Sequence, residues 1–372
     1  MLCSMKRKIV FRSAIVAVLL VSIAAVVSYF QQQKPVKVID ELTNVYGINP
    51  TATFEPVLPN HPVELPRDFA FHPEFQNEKW QYFATLTDKQ GNPASIQWTV
   101  IRVSRDESLL GGWKNSQLFV AQVVVSYQHR VWKQQRLARG GVGQAGLRTR
   151  PFRLWIDNWS WNSLGIAPLP GILKVATDDF SFSLKSLATS PFLLAMENGY
   201  QQEQSLLPIA SYQFFMPRIR VAGKLQINGK PFDVAGNASL TKEWHSDPAI
   251  EKLQTQTQID VQLDDGRYLK IKHNKLPSLP VYSYGTIVDK EGKKLALNHN
   301  EIKMKPTVYT RLANGKLLPL EWQISIAKER LSVTIKALNN EMWHDFIQPY
   351  WQGPITVSGS SSGKGSLKLS GY

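Results

Sequence analysis

The chain has 372 residues, of which 43% are hydrophobic and 19% are charged. This composition excludes a disordered protein, and the length allows about two domains. The formal net charge is +14, but the basic residues are scattered without a repeated basic–aromatic motif, so we expect no nucleic-acid partner. Attraction to an anionic membrane surface and a simply well-solvated basic surface both stay open.

The N-terminus carries a membrane-directed segment. Lys6, Arg7, Lys8 and Arg12 precede residues 13–30, which contain no charge. A helix of that length spans about 27 Å, close to the hydrocarbon thickness of a bilayer. The positive-inside rule then predicts a single-pass anchor at 1–30, with the rest of the chain exported to the periplasmic side of the cell membrane. A cleaved signal peptide, which would leave a secreted or periplasmic protein, is the alternative.

Residues 31–66 form a proline-rich tether, since Pro50, Pro56, Pro59, Pro62 and Pro66 favour an extended chain. Strand patterns then dominate. Residues 78–87 and 95–104 alternate apolar and polar side chains around the turn sequence DKQGNP, which predicts a hairpin.

The second half contains four turn dipeptides between alternating runs: Asn228-Gly229, Asp265-Gly266, Glu291-Gly292 and Asn314-Gly315. No stretch after residue 30 has a sustained helical period, so we predict an all-β protein of sandwich or barrel type. We place a boundary near 208–217, giving an N-terminal domain at 67–212 and a C-terminal domain at 213–372.

Familiar catalytic motifs are absent or misplaced. The seven histidines do not lie at metal-ligand spacing from one another, and HEXXH and CXXC are missing, so we expect no metal and no cofactor. GSSSG at 359–363 matches a nucleophile-elbow pattern, but it lies between two predicted strands rather than before a helix. We interpret it as a hairpin loop.

Two groups of side chains are candidates for a site. Aromatic residues on predicted strands would pack the interior of a barrel or line a cavity for an apolar ligand; they are Trp80, Tyr82, Trp155, Trp159 and Trp244. The sequence GNASLTKEWHSD at 236–247 places Glu243 and His245 on one face of an extended chain and Lys242 and Trp244 on the other. A carboxylate beside aromatic rings can serve as a general acid, but a solvated strand end fits equally well.

The chain resembles the AttH/hydroxyneurosporene synthase family (carotenoid 1,2-hydratase-like proteins, also described as predicted secreted hydrolases). The stretches that carry this resemblance are PVLPNHPVELPRDFAFHPEF (56–75), QRLARGGVGQAGLRTRPFRLWIDNWSW (135–161), VAGKLQINGKPFDVAGNASLTKEW (221–244) and YWQGPITVSGSSSGKGSLKLSGY (350–372). The resemblance implies two lipocalin-like antiparallel β-barrel domains. It also implies either hydration of an isoprenoid double bond through acid protonation, or an exported protein that works with an ABC transporter.

The chain departs from the family pattern at several positions, including Gln81, where the resemblance implies an aromatic ring. Phe69 replaces a histidine, while His72 is kept; Lys79 replaces a glutamate; and Thr241 replaces the aspartate that the resemblance implies as proton donor. Losing a general acid typically lowers a rate by about 10²–10⁴. Only Glu243, His245 or Asp247 could replace that acid locally, with His72 as a further catalytic candidate.

These departures favour a protein that is not an enzyme. We expect a membrane-anchored, exported protein that binds a hydrophobic molecule, a lipid or an isoprenoid, with an ABC transporter permease as partner. The alternative is a hydratase or hydrolase-like enzyme acting on an apolar substrate.

Overall fold

Antiparallel strands build the fold, as the alternating sequence pattern predicts. In the computed structural model, residues 52–107, 110–247 and 254–372 are described. The predicted helix at 1–30 and the tether up to residue 51 lie outside the described residues. In the described part of the chain, no helix is long and apolar enough to span a membrane.

The first sheet runs from the strand after the lead-in to residue 245. In spatial order its strands are β4-β3-β2-β1-β13-β12-β9-β8-β7-β6-β5, with β10 and β11 paired to β12. Their bounds are β1 Asn77–Asp88, β2 Pro93–Ser104, β3 Gln117–Tyr127, β4 Arg130–Arg139, β5 Ala145–Thr149, β6 Phe152–Ile156, β7 Trp159–Ser163, β8 Gly171–Ala176, β9 Phe180–Ala188, β10 Leu193–Leu194, β11 Tyr200–Gln202, β12 Ala210–Ile227 and β13 Lys230–His245.

The second sheet contains the rest of the described chain. Its order is β17-β16-β15-β14-β23-β22-β20-β19-β18, with β21 paired to β22. The bounds are β14 Thr255–Leu263, β15 Tyr268–Lys275, β16 Tyr282–Val288, β17 Lys294–Leu297, β18 Lys303–Arg311, β19 Leu317–Ile326, β20 Leu331–Ala337, β21 Trp343–His344, β22 Tyr350–Gly359 and β23 Gly363–Ser370. Short 3₁₀ turns lie at Arg67–Phe69, Gly112–Lys114, His299–Glu301 and Ala327–Glu329.

Both sheets curl into nearly closed barrels, which confirms the all-β, lipocalin-like prediction. The predicted turn dipeptides each separate paired strands; Asn228 and Gly229, for example, have φ of 47° and 79° between β12 and β13. GSSSG lies at the β22–β23 hairpin, as interpreted, and Ser361 Oγ donates to Asp265 Oδ2 at 3.0 Å.

The two sheets separate between β13 and β14. The predicted boundary at 212/213 falls inside β12, and both β12 and β13 hydrogen-bond into the first sheet. The boundary is misplaced because these two strands join the two halves of the first sheet, β13 pairing with β1 and β12 with β9. The division into independently folding domains stays a prediction.

Apolar side chains fill the inside of each barrel, and a polar layer lies between the barrels. The first core includes Trp98 and Trp161, which are at most 1% exposed. The outer face of β13 meets β15, because Lys270 and Lys272 of β15 contact Thr241 and Glu243 of β13. The packing of one sheet on the other therefore buries charged side chains.

Glycines on β13 and β23 permit close approach of neighbouring strands. A Cβ added at Gly365 would lie 2.0 Å from the main-chain oxygen of Asp260, so the β14–β23 pair would have to shift. We expect Gly365→Ala to lower the free energy of unfolding by about 1–3 kcal/mol. Gly111→Ala is the control, since no atom lies within 4 Å of that position, and it should change stability by less than about 0.5 kcal/mol. Equal denaturant midpoints for the two variants would contradict this packing.

Candidate functional site

Strand β13 carries the predicted cluster, and the alternation of its side chains is confirmed. The first barrel is faced by the even-numbered side chains Leu240, Lys242 and Trp244. The second sheet is faced by the odd-numbered side chains Thr241, Glu243 and His245. All six are at most 5% exposed. The solvated strand end, which the sequence left open, is therefore wrong, because a second sheet covers the outer face.

Inside the first barrel, Lys242 forms a buried ion pair. Its Nζ lies 2.9 Å from Glu78 Oε1, and neither side chain is exposed. The same Nζ donates to the main-chain oxygens of Asp68, at 2.7 Å, and Ala70. The rings of Trp80 and Trp244 lie 5.1 Å and 5.0 Å from it. Lys242 thus ties the lead-in before β1 to the barrel.

His72 belongs to this network. Its ring stacks on Trp244 with centroids 4.2 Å apart and an interplanar angle of 7°. Its Nδ1 lies 3.2 Å from Glu78 Oε2, and its Nε2 lies 3.5 Å from Asp68 Oδ1. Phe69, at the position where the resemblance implies a histidine, is apolar core and packs edge-on against Phe214.

Glu78 is held in its ionised form. Burial alone would raise its pKa, but the charges of Lys242, His72 and Arg102 outweigh burial and keep the pKa well below its usual range. An ionised carboxylate has no proton to give, so Glu78 is unsuited to act as a general acid.

Between the sheets, Glu243 forms a second buried ion pair. Lys272 Nζ lies 2.5 Å from Glu243 Oε2 and 3.4 Å from Glu203 Oε1. Lys79, at the position where the resemblance implies a glutamate, lies directly opposite on β1, with its Nζ 3.6 Å from Glu243 Oε1. Burial alone would raise the pKa of Glu243, but Lys272 and Lys79 hold it well below its usual range.

Glu203 is the other anionic end of this network. Its carboxylate accepts from Ser211 Oγ at 2.7 Å, from Gln213 Nε2 at 2.9 Å and from Asn274 Nδ2 at 2.9 Å, as well as from the Tyr284 hydroxyl. Residues from both sheets therefore converge on one buried carboxylate.

A third cluster surrounds Thr241. Lys270 Nζ donates to Thr241 Oγ1 at 2.8 Å and lies 3.3 Å from Asp260 Oδ1. The Tyr268 hydroxyl donates to the same Asp260 oxygen at 2.6 Å, and Gln258 donates to the other oxygen at 2.7 Å. Burial and the Asp260 charge raise the pKa of Tyr268 well above its usual value, so its hydroxyl stays protonated.

This third cluster adjoins a cavity of about 350 Å³ between the sheets. Asp260 and Tyr268 form one part of its wall, together with Ser239 of β13. Apolar side chains such as Phe83 and Leu263 share the remainder of the wall with polar ones, among them Thr85, Asn237, Gln262, Asp264 and Lys364. A second, more open depression of about 670 Å³ lies on the outer surface near Ser183, Lys185 and Lys224.

The five aromatic candidates do not line either cavity. Trp80, Tyr82, Trp159 and Trp244 are at most 2% exposed and pack in the first core, where the Tyr82 hydroxyl lies 3.0 Å from Ser186 Oγ. Trp155 points outward from β6, and its indole N–H donates to Gly143 O at 3.0 Å.

The candidate acids are likewise separated. His72 lies inside the first barrel, whereas Glu243 and His245 lie on the opposite face of β13, so no site brings the three together. Asp247 follows the end of β13. Within the described ranges, no group of three or more His, Cys, Asp or Glu side chains is arranged to hold a metal ion.

Residues that sequence reasoning missed supply most of the site. Glu78, Glu203, Asp260, Lys270 and Lys272 are all buried and all make charged contacts. The alternation of Lys270 and Lys272 with apolar residues was the available signal, but alternation is equally typical of a strand with one face in water.

Comparison with known proteins agrees with this architecture. Residues 56–372 match the model of the AttH-like family, so the chain belongs to that family. An AttH protein of Nitrosomonas europaea has a similar structure, with a TM-score of 0.75 and 23% identity over 86% of this chain and 100% of that one. Kievitone hydratase of Nectria haematococca is also similar, with a TM-score of 0.64 and 12% identity over 86% of this chain and 96% of that one. No curated protein sequence matches significantly.

The Glu243 ion pair should contribute measurably to stability. Glu243→Gln leaves Lys272 with one fewer buried anion, so we expect it to lower the free energy of unfolding at neutral pH by about 3 kcal/mol. The pKa of Glu243 is lower in the folded than in the unfolded chain, so this contribution is complete above the ordinary value of 4.5 and declines as the pH falls below it.

Denaturant unfolding across that pH range checks this expectation. The difference between wild type and Glu243→Gln should shrink in acid. Glu291→Gln is the matched control, because its partner Lys290 is exposed and a surface pair contributes about 0–1 kcal/mol. A Glu243→Gln effect no larger than the control would rule out a strong buried pair.

Proposed function

We propose that this protein is a binding protein, not an enzyme, and that it holds a small apolar molecule with one polar group between its two sheets. The observation that carries the proposal is the cavity of about 350 Å³, whose wall combines apolar side chains with polar ones that include Asp260 and Tyr268. This volume lies within the usual range of ligand pockets, about 300–1,000 Å³.

The ionisation of the carboxylates supports binding over acid chemistry. Glu78 and Glu243 are paired with lysines that lower their pKa values, and Thr241 occupies the position of the implied proton donor. A general acid needs a pKa near the working pH, whereas these two groups have pKa values shifted away from it.

The polar end of the cavity suits a hydroxyl group of the ligand. Tyr268 donates its only proton to Asp260, so the pair offers hydrogen-bond acceptors to a ligand that donates. The apolar part of the wall, which includes Phe83, Leu86 and Leu263, would hold an isoprenoid fragment or part of an acyl chain.

The place of action is part of the proposal and rests on sequence. The basic flank and the uncharged segment at 13–30 support an exported protein anchored in the cell membrane. The resemblance stated from the sequence implies work beside an ABC transporter permease, to which the bound molecule would be delivered or from which it would be received.

Filling the cavity should abolish binding. Ser239→Leu adds an isobutyl group to the cavity wall, whereas Ser183→Leu makes the same change in the outer depression and is the control. We expect Ser239→Leu to weaken binding of the apolar fluorophore phenylnaphthylamine at least tenfold in a fluorescence titration, and Ser183→Leu to leave it unchanged. Wild-type affinity in both variants, or a loss confined to Ser183→Leu, would refute the inter-sheet site.

A hydratase is the second candidate, because kievitone hydratase is a structural neighbour. Incubation of the protein with an acyclic isoprenoid in ¹⁸O-water, followed by mass spectrometry, separates the two functions. The binding proposal predicts recovery of the unchanged isoprenoid. A product that carries one labelled water, and that disappears in Glu243→Gln, would favour the enzyme instead.

A further inference from the structure

One corner of the first sheet combines exposed arginines with exposed aliphatic side chains. The turn between β5 and β6 meets the loop between β7 and β8, where Phe152 N–H donates to Gly165 O at 2.7 Å. Ser163 Oγ donates to Ala167 O at 2.5 Å within that loop. The corner is therefore an ordered feature. We define the basic corner as Arg148, Arg150, Arg153, Leu164 and Ile166.

The three arginines of the basic corner have no anionic partner among the described residues. Arg148 and Arg153 lie directly opposite each other on β5 and β6, and Arg150 lies in the turn that joins these strands. All three are exposed, and none forms an ion pair with a described carboxylate. Like charges directly opposite in a strand pair repel, so an external anion would stabilise this arrangement.

The row of side chains that continues from Arg153 across the sheet also lacks acid groups. Arg153 is opposite Asn162, Asn162 is opposite Ile172, and Ile172 is opposite Lys185. Trp155 lies beside this row, half-buried, with the Arg153 guanidinium 4.9 Å from its ring centroid. The charged side chains of this row, Arg153 and Lys185, are therefore both positive.

The aliphatic side chains lie at the tip of the same corner. Leu164 is 100% exposed and Ile166 is 37% exposed. A single exposed leucine is ordinary. Here two exposed aliphatic side chains lie beside three arginines without a carboxylate partner and an amphipathic tryptophan. Peripheral proteins use this combination at a lipid interface.

We propose that the basic corner docks on an anionic phospholipid surface. Leu164 and Ile166 enter the boundary between headgroups and acyl chains, while the three guanidinium groups hydrogen-bond lipid phosphates. This contact is additional to the segment at 13–30 and independent of the cavity between the sheets. It would orient the first barrel on the membrane surface.

The test uses the full chain and a fluorescent label at the tip. Cys3 is the only cysteine, so Cys3→Ser with Leu164→Cys allows specific labelling with a nitrobenzoxadiazole dye. The labelled protein is incorporated into vesicles of phosphatidylcholine alone or with phosphatidylglycerol. A second label at Leu206→Cys, a position that is 62% exposed, is the control.

We expect dye emission at position 164 to rise and shift to shorter wavelength only as phosphatidylglycerol is added, with no response at position 206. Each arginine near an anionic surface contributes about a fivefold factor. Replacing Arg148, Arg150 and Arg153 together with glutamine should therefore weaken docking about a hundredfold, with an unchanged melting temperature. Emission at 164 that ignores phosphatidylglycerol, equals that at 206, or survives the triple substitution would overturn the proposal.

Discussion

A buried lysine–glutamate pair on each face of β13 is the constraint on which the architecture depends. Lys242 pairs with Glu78 inside the first barrel, and Glu243 pairs with Lys272 across the contact between the sheets. Because side chains alternate along a strand, a one-residue slip of β13 would exchange the two faces and leave every one of these charges buried without its partner. Such pairs add little net stability compared with apolar packing, but the cost of separating them is high. We infer that they specify the register of β13 and the way the sheets pack.

Much of the fold follows from local sequence. Glycine-containing dipeptides such as Asn228-Gly229 supply the positive φ angles that tight hairpins need, and alternation identifies the strands on either side. Alternation also separates Lys242 from Glu243 correctly. It does not reveal whether a polar face meets water or another sheet, since both give the same pattern. Lys270 and Lys272 therefore look like surface residues in the sequence, although they are at most 6% exposed.

The aromatic residues show the same limit of prediction from alternation, here for the interior of a barrel. A row of tryptophans fits a hollow barrel and a filled one equally well, because period two gives the facing direction and not the space between facing walls. Here Trp80, Trp98 and Trp161 fill the first barrel. The cavity lies instead where two curved sheets meet, between residues as distant in sequence as Phe83 and Ser366. No local pattern predicts such a space. Likewise, the departures at Lys79 and Thr241 gain a physical meaning only from their partners, Glu243 and Lys270.

Membership of the AttH-like family and likeness to a hydratase establish architecture, and the chemistry of the chain rests on its own side chains. Native mass spectrometry of the full chain, purified gently without denaturant, tests the binding account most directly. The account predicts one bound apolar molecule per chain, of one mass and small enough for about 350 Å³, released on denaturation and identified by extraction. A chain that is consistently free of any bound molecule would contradict it.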